Sequence, residues 1–123
     1  MLAGCGGAVA PDLFEIRRSG TIPGARLDLV VKDDGRVSCN RKPFTRLPDQ
    51  LVLDAREIAR VITEKQPPLR SVPPGPGTVL RYVVRLPDQT LVFSDTSPSL
   101  PQELVPVQGF TRSVAQGVCG LPR

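Results

Sequence analysis

Thiols and carboxylates are the side chains through which this 123-residue chain could do chemistry, because it contains no histidine. That absence removes the commonest general base and the commonest zinc ligand together. The three cysteines are Cys5, Cys39 and Cys119. Among the 12 acidic residues no two stand out as a pair bracketed by apolar neighbours, the pattern an acid–base couple needs. Asp54 and Glu57 fall on the polar side of a helical pattern and read as a solvated face. Asp33-Asp34-Gly35 suits the tip of a tight hairpin, a task that needs no calcium. No glycine-rich phosphate loop or Ser–Lys spacing is present. The chain is expected to be no enzyme, with no catalytic residue, no metal and no cofactor.

The start of the chain carries the most specific signal. Leu2-Ala3-Gly4-Cys5 resembles the lipobox of bacterial lipoproteins, in which an aliphatic residue and two small ones precede a cysteine whose thiol receives a diacylglyceryl group. The resemblance implies lipidation at Cys5, a membrane partner through that anchor, and a place on the outer face of the cell membrane. Residues 6–12, Gly-Gly-Ala-Val-Ala-Pro-Asp, are small and flexible in type, as a tether would be. Four residues before Cys5 are too few for a basic n-region and an apolar core, so export would need a leader encoded upstream of Met1. If Cys5 holds a lipid, Cys39 and Cys119 remain as an even pair, and in an oxidising compartment such a pair forms a disulfide. The competing reading is an ordinary small-residue N-terminus with a free thiol and two reduced, buried cysteines.

Charge and hydropathy narrow the partners. Sixteen basic against 12 acidic residues leave a net charge of +4, which raises the question of nucleic acid. The charges are interspersed, however, and the densest basic group (Arg36, Arg41, Lys42, Arg46) includes one aromatic, Phe44, where base stacking uses several. No nucleic-acid partner is expected. No apolar run approaches the ~20 residues of a membrane-spanning helix.

The elements that must position any site are read from periodicity. Phe14, Glu15, Ile16 and Arg17 alternate as a strand does, and Leu27, Leu29 and Val31 repeat that pattern after a turn-rich run, Ser19 to Ala25. Arg36-Val37-Ser38-Cys39 returns as a third strand. Pro48 and Asp49 suit a first helical turn, and Leu51, Ala55, Ile58 and Ile62 follow at helical spacing, which predicts a helix over about 48–64. Pro67-Pro68 and the run Val72-Pro73-Pro74-Gly75-Pro76-Gly77 exclude helix and central strand. Leu80, Tyr82, Val84 and Leu86 share one face of a strand within 78–86, Pro87-Asp88-Gln89 turns, and 90–94 pairs back. Ser99 and Gln102 have capping-box spacing, Pro106 limits where a last helix becomes regular, and Val107, Phe110, Val114 and Val118 form its stripe up to Cys119-Gly120. The pentapeptide Arg-Leu-Pro-Asp-Gln occurs at 46–50 and again at 85–89, and we read the two copies as serving different local turns rather than a duplication.

The expected fold is therefore α+β: a remnant and tether over 1–12, then one domain over 13–123 with an antiparallel sheet of four to five strands from two hairpin units and two helices on one face (β-β-β-α-β-β-α). The run from 13 to 118, with Arg18-Ser19-Gly20 after the opening strand and a Tyr-containing hairpin after the proline-rich gap, resembles the emfourins, small bacterial protein inhibitors of thermolysin-like metallopeptidases. Emfourins lack the lipobox and the cysteine pair, and no inhibitory residue is matched onto this chain. A nearer likeness is to uncharacterised lipoproteins of GC-rich actinobacteria. The resemblances imply an exported, lipid-anchored, monomeric binding domain, an inhibitor of a secreted peptidase in its most specific form. The alternatives are an accessory envelope lipoprotein that binds wall polymer or another envelope protein, and a cytoplasmic protein whose Leu-Ala-Gly-Cys is coincidental. The expected contacts with a protein partner are two turn-rich loops, represented by Thr21, Ile22 and Pro23 and by Pro73, Pro74 and Pro76, because proline-stiffened loops lose little entropy when immobilised.

Overall fold

The structure, a computed structural model, describes residues 12–67 and 70–123. Met1 to Gly4 and Cys5 lie outside the described residues. One antiparallel sheet of six strands is covered on one face by two helices. The strands are β1 (Asp12–Gly20), β2 (Leu27–Lys32), β3 (Arg36–Cys39), β4 (Thr45–Arg46), β5 (Leu80–Leu86) and β6 (Gln89–Ser94), in the spatial order β4-β3-β2-β1-β5-β6. Helix α1 is Asp49–Lys65 and α2 is Val105–Gly117.

Alternation decides which side of the sheet is covered. Phe14 and Ile16, then Leu27, Leu29 and Val31, then Val37, then Tyr82, Val84 and Leu86, then Leu91 and Phe93 all point to the helices and are buried. The intervening Glu15, Arg17, Arg81 and Arg85 stand on the open face, where Arg17 meets Asp28 at 3.2 Å. One aromatic pair ties the layers, Phe14 of β1 edge-on to Phe110 of α2 at 5.8 Å, and a second joins neighbouring strands, Tyr82 of β5 stacked on Phe93 of β6 at 5.0 Å.

The strand count is one above the upper expectation. Strand β4 has two exposed polar residues and no alternation; it exists because Asn40 and Arg41, both at positive φ, turn the chain back along β3. So short an edge strand also leaves little unpaired backbone for another chain to join. Strand β1 starts at Asp12, one residue before the expected domain boundary, where it pairs with Lys32. In α1 the buried stripe is Val52, Ala55, Ile58, Ala59 and Ile62, and Leu51 is only partly covered. At the β2–β3 tip Gly35 alone has positive φ, and the Asp34 carboxylate accepts from the Arg36 amide and guanidinium.

The last helix begins differently from its capping-box spacing. Ser99 takes a left-handed φ of 55°, no side chain caps the helix, and a 3-10 turn at Gln102–Leu104 leads into α2. Pro106 sits in the first turn of α2, where its missing N–H has no partner to lose. The two Arg-Leu-Pro-Asp-Gln copies do separate jobs: Pro48 and Asp49 open α1, and Pro87-Asp88 turn β5 into β6.

Candidate functional site

Topology brings the two loops singled out by composition to one end of the sheet. Strand β1 is antiparallel to β5, with Gly20 opposite Leu80, so the turn that leaves β1 and the segment that enters β5 are neighbours. The Thr21 amide donates to the Val79 carbonyl at 3.2 Å. Gly20 makes that approach geometrically feasible, because a Cβ there would collide with the Val79 carbonyl oxygen. Gly20→Ala is expected to destabilise the fold by about 1–3 kcal/mol, since backbone must move on one side or the other. Urea unfolding of the oxidised protein measures it.

The first loop turns tightly through Ile22 and Ala25, whose amide donates to the Ile22 carbonyl at 3.2 Å. Thr21 and Pro23 are exposed and Ile22 is half-buried. Beneath the turn lies Arg18, which shares strand parity with Phe14 and Ile16 and is 1% exposed. Its Nε donates to the Ala25 carbonyl at 2.7 Å, and one terminal nitrogen donates to the main-chain oxygens of Gly24 at 3.2 Å and Arg123 at 2.6 Å. Burial pulls the guanidinium below its ordinary value, against the neighbouring Tyr82 phenol, which holds it up. Burial likewise raises Tyr82, against the pull of Arg18. Arg18 thus pins the turn from below by its planar fork.

The second loop is a strap. After α1, the Val72 amide donates to the Val92 carbonyl and the Val92 amide to the Arg70 carbonyl, both at 2.8 Å, so this segment runs beside the outer edge of β6. The chain then crosses the end of β6 through Pro73-Pro74-Gly75-Pro76-Gly77, with all three prolines exposed. Gly75 lies against the Thr96 carbonyl, where a Cβ would not fit. The Thr78 and Thr96 hydroxyls lie 2.9 and 3.1 Å from the Gly75 carbonyl oxygen and 2.7 Å from each other, so that one donates to the carbonyl while the other donates within the pair. Ser97 accepts from the Ser94 amide at 2.9 Å. This hydroxyl cluster fixes the strap from inside.

A disulfide closes the same end. Cys39, the last residue of β3, is bonded to Cys119, just past α2, with Cα atoms 5.8 Å apart. Beyond it the Leu121 amide returns to the Ala115 carbonyl at 2.9 Å, Pro122 packs on Gly24, and the Arg123 side chain donates to the Pro23 carbonyl at 3.1 Å. The C-terminal segment therefore supports the first loop.

The remaining sequence candidates stay apart. Asp54 and Glu57 line a cleft between the helices, where Asp54 accepts from Gln50 at 3.0 Å and Glu57 from Arg60 at 2.6 Å. Of the basic group, Arg36 pairs with Asp34 and Arg46 with Asp49. Among the described residues no group of three His, Cys, Asp or Glu is placed to hold a metal ion, and no helix is long and apolar enough to cross a membrane. Sequence reasoning missed Arg18 and the Ser/Thr cluster. The parity of Arg18 with two core residues was the available signal; the hydroxyls offered none, because their meeting depends on the strap. Comparisons with protein-family models, curated proteins and solved structures find no match.

Proposed function

We propose that this protein is an exported, lipid-anchored, non-catalytic binding domain whose loops at 21–26 and 72–77 form one contact surface for a protein partner, with a secreted peptidase as the partner class. The observation that carries this reading is the convergence of two independently stiffened loops on one end of the sheet. Loops already fixed by Arg18, Gly75 and the hydroxyl cluster would lose little further freedom on binding.

The direction of β1 adds to it. The tether segment would enter at Asp12, and the loops follow Gly20 at the far end of a nine-residue strand. That is about 26 Å away at the usual rise per residue. A lipid on Cys5 would attach the domain at the end of β1 opposite the loops. The Cys39–Cys119 bond fits a compartment in which disulfides persist.

Titrating the oxidised protein into a thermolysin-like peptidase tests the partner class. Hydrolysis should fall at micromolar excess and recover when 72–77 is replaced by Gly-Ser residues of equal length. Undiminished hydrolysis would remove the inhibitor reading. Co-sedimentation with cell wall that is lost on the same replacement would then favour an accessory envelope role at the same loops. In the genome, a basic stretch and about a dozen apolar codons should precede Met1 in frame; an in-frame stop directly before Met1 would sink the export reading.

A further inference from the structure

The helix layer carries a second, separate feature. Between α1 and α2 lies an open cleft of about 400 Å³. Its floor is the outer surface of the core: Ile58 and Phe110, both nearly buried, with Val61 and Pro106 beside them. Its walls carry the carboxylates of Asp54, Glu57 and Glu103, and no lysine or arginine lines it. The chain as a whole has a net charge of +4, so the cleft runs against the average charge of the molecule. Arg60 holds Glu57 ionised by hydrogen bonding from outside, pulling its pKa below the usual carboxylate range.

Gly109 is the second observation. It lies inside α2, lines the cleft, and has open space where a Cβ would stand. A glycine in a helix interior weakens the helix relative to alanine. Neither a positive φ nor a close neighbour requires one here. What the missing side chain does provide is access to the α2 backbone from the cleft. Leu53 and Val105, the exposed large apolar side chains of the described residues, each stand one helical turn before a cleft residue, Glu57 and Gly109 respectively.

We propose that the α1–α2 cleft is a docking site for a protein segment that presents an apolar side chain flanked by arginine or lysine. The apolar side chain would rest on Ile58 and Phe110 over the gap left by Gly109. The flanking cations would meet Asp54 and Glu103. An apolar floor alone would accept any greasy segment; Asp54 and Glu103, with Glu57 already paired to Arg60, select a basic one and reject an acidic one. The site is distinct from the loop end of the sheet and stands or falls independently of it.

Two synthetic hexapeptides provide the probe, Ac-Arg-Leu-Arg-Leu-Lys-Leu-NH2 and Ac-Glu-Leu-Glu-Leu-Glu-Leu-NH2, each titrated into the oxidised full chain with amide and methyl NMR detection. The basic peptide should give saturable shifts at Ile58, Val61, Gly109 and Phe110, at least tenfold tighter than the acidic one and weaker with added salt. Gly109→Leu should fill the gap, lower affinity at least tenfold and leave the urea midpoint unchanged or raised. Asp54→Asn with Glu103→Gln should lower affinity at least threefold in a folded protein, which keeps the test valid if the leucine variant folds poorly. Equal response to both peptides, shifts confined to the open sheet face, or undiminished binding by both variants would overturn the proposal.

Discussion

Replacing Cys39 and Cys119 together by alanine is expected to lower stability by up to about 4.5 kcal/mol. The bond closes a loop 80 residues apart in sequence. Without it the unfolded chain regains the freedom that the loop denies it, and that gain grows with the logarithm of loop length. The loss should concentrate at the loop end. Cys119 sits between α2 and the segment that reaches Gly24 and Pro23, so its release would loosen the support of the 21–26 turn. Urea unfolding with and without reductant measures the total, and amide exchange at Ala25 and Thr21 locates it. A change below about 1 kcal/mol would show that the native state holds this end without the bond.

Arg18→Met should destabilise by about 3 kcal/mol. The substitution keeps much of the aliphatic stem but removes hydrogen bonds to three main-chain oxygens, of Gly24, Ala25 and Arg123. Those oxygens lie beneath a turn, where water replaces a lost donor poorly, and charged donors contribute more than neutral ones. Arg18→Lys should recover less than half. An ammonium is a point charge and cannot hold the Ala25 carbonyl by one nitrogen while spanning Gly24 and Arg123 with another. Full rescue by lysine would mean that the charge alone matters; loss of peptidase inhibition in either variant at unchanged stability would tie Arg18 to the proposed contact surface through the loop it positions.

Much of the framework was legible in the chain. Period-two alternation located β1, β2 and β5, because a half-covered sheet demands it, and the turns at Asp33-Asp34-Gly35 and Pro87-Asp88-Gln89 placed β3 and β6 as their returning partners. Helical spacing and proline located α1, though its stripe runs through Val52 and Ala59 rather than Leu51. Strand β4 was not legible, since two polar residues have no period and are extended only by pairing with β3. The Ser99 capping box failed because the chain turns through a left-handed residue and Pro101 before the helix starts. The cysteine pair was readable by count once Cys5 was given to a lipid, and the geometry places Cys39 and Cys119 within bonding distance.

Composition also marked the loops at 19–25 and 66–77 as turn-rich, and it could go no further. Periodicity reports which face of an element is apolar, and glycine and proline report where the backbone bends; both are local properties. That β1 lies between β2 and β5, and so carries one loop to the other's side, is a pairing between residues some 60 apart. Arg18 on the core face was not legible, because a lone arginine there is costly unless carbonyls surround it. Those carbonyls come from a turn and from a segment about 100 residues downstream. The cleft between α1 and α2 is a gap between two elements, which no single stretch of chain encodes. Local chemistry thus settled what each piece of this protein is, and long-range packing settled which pieces meet, because burial is shared between residues that the chain holds far apart.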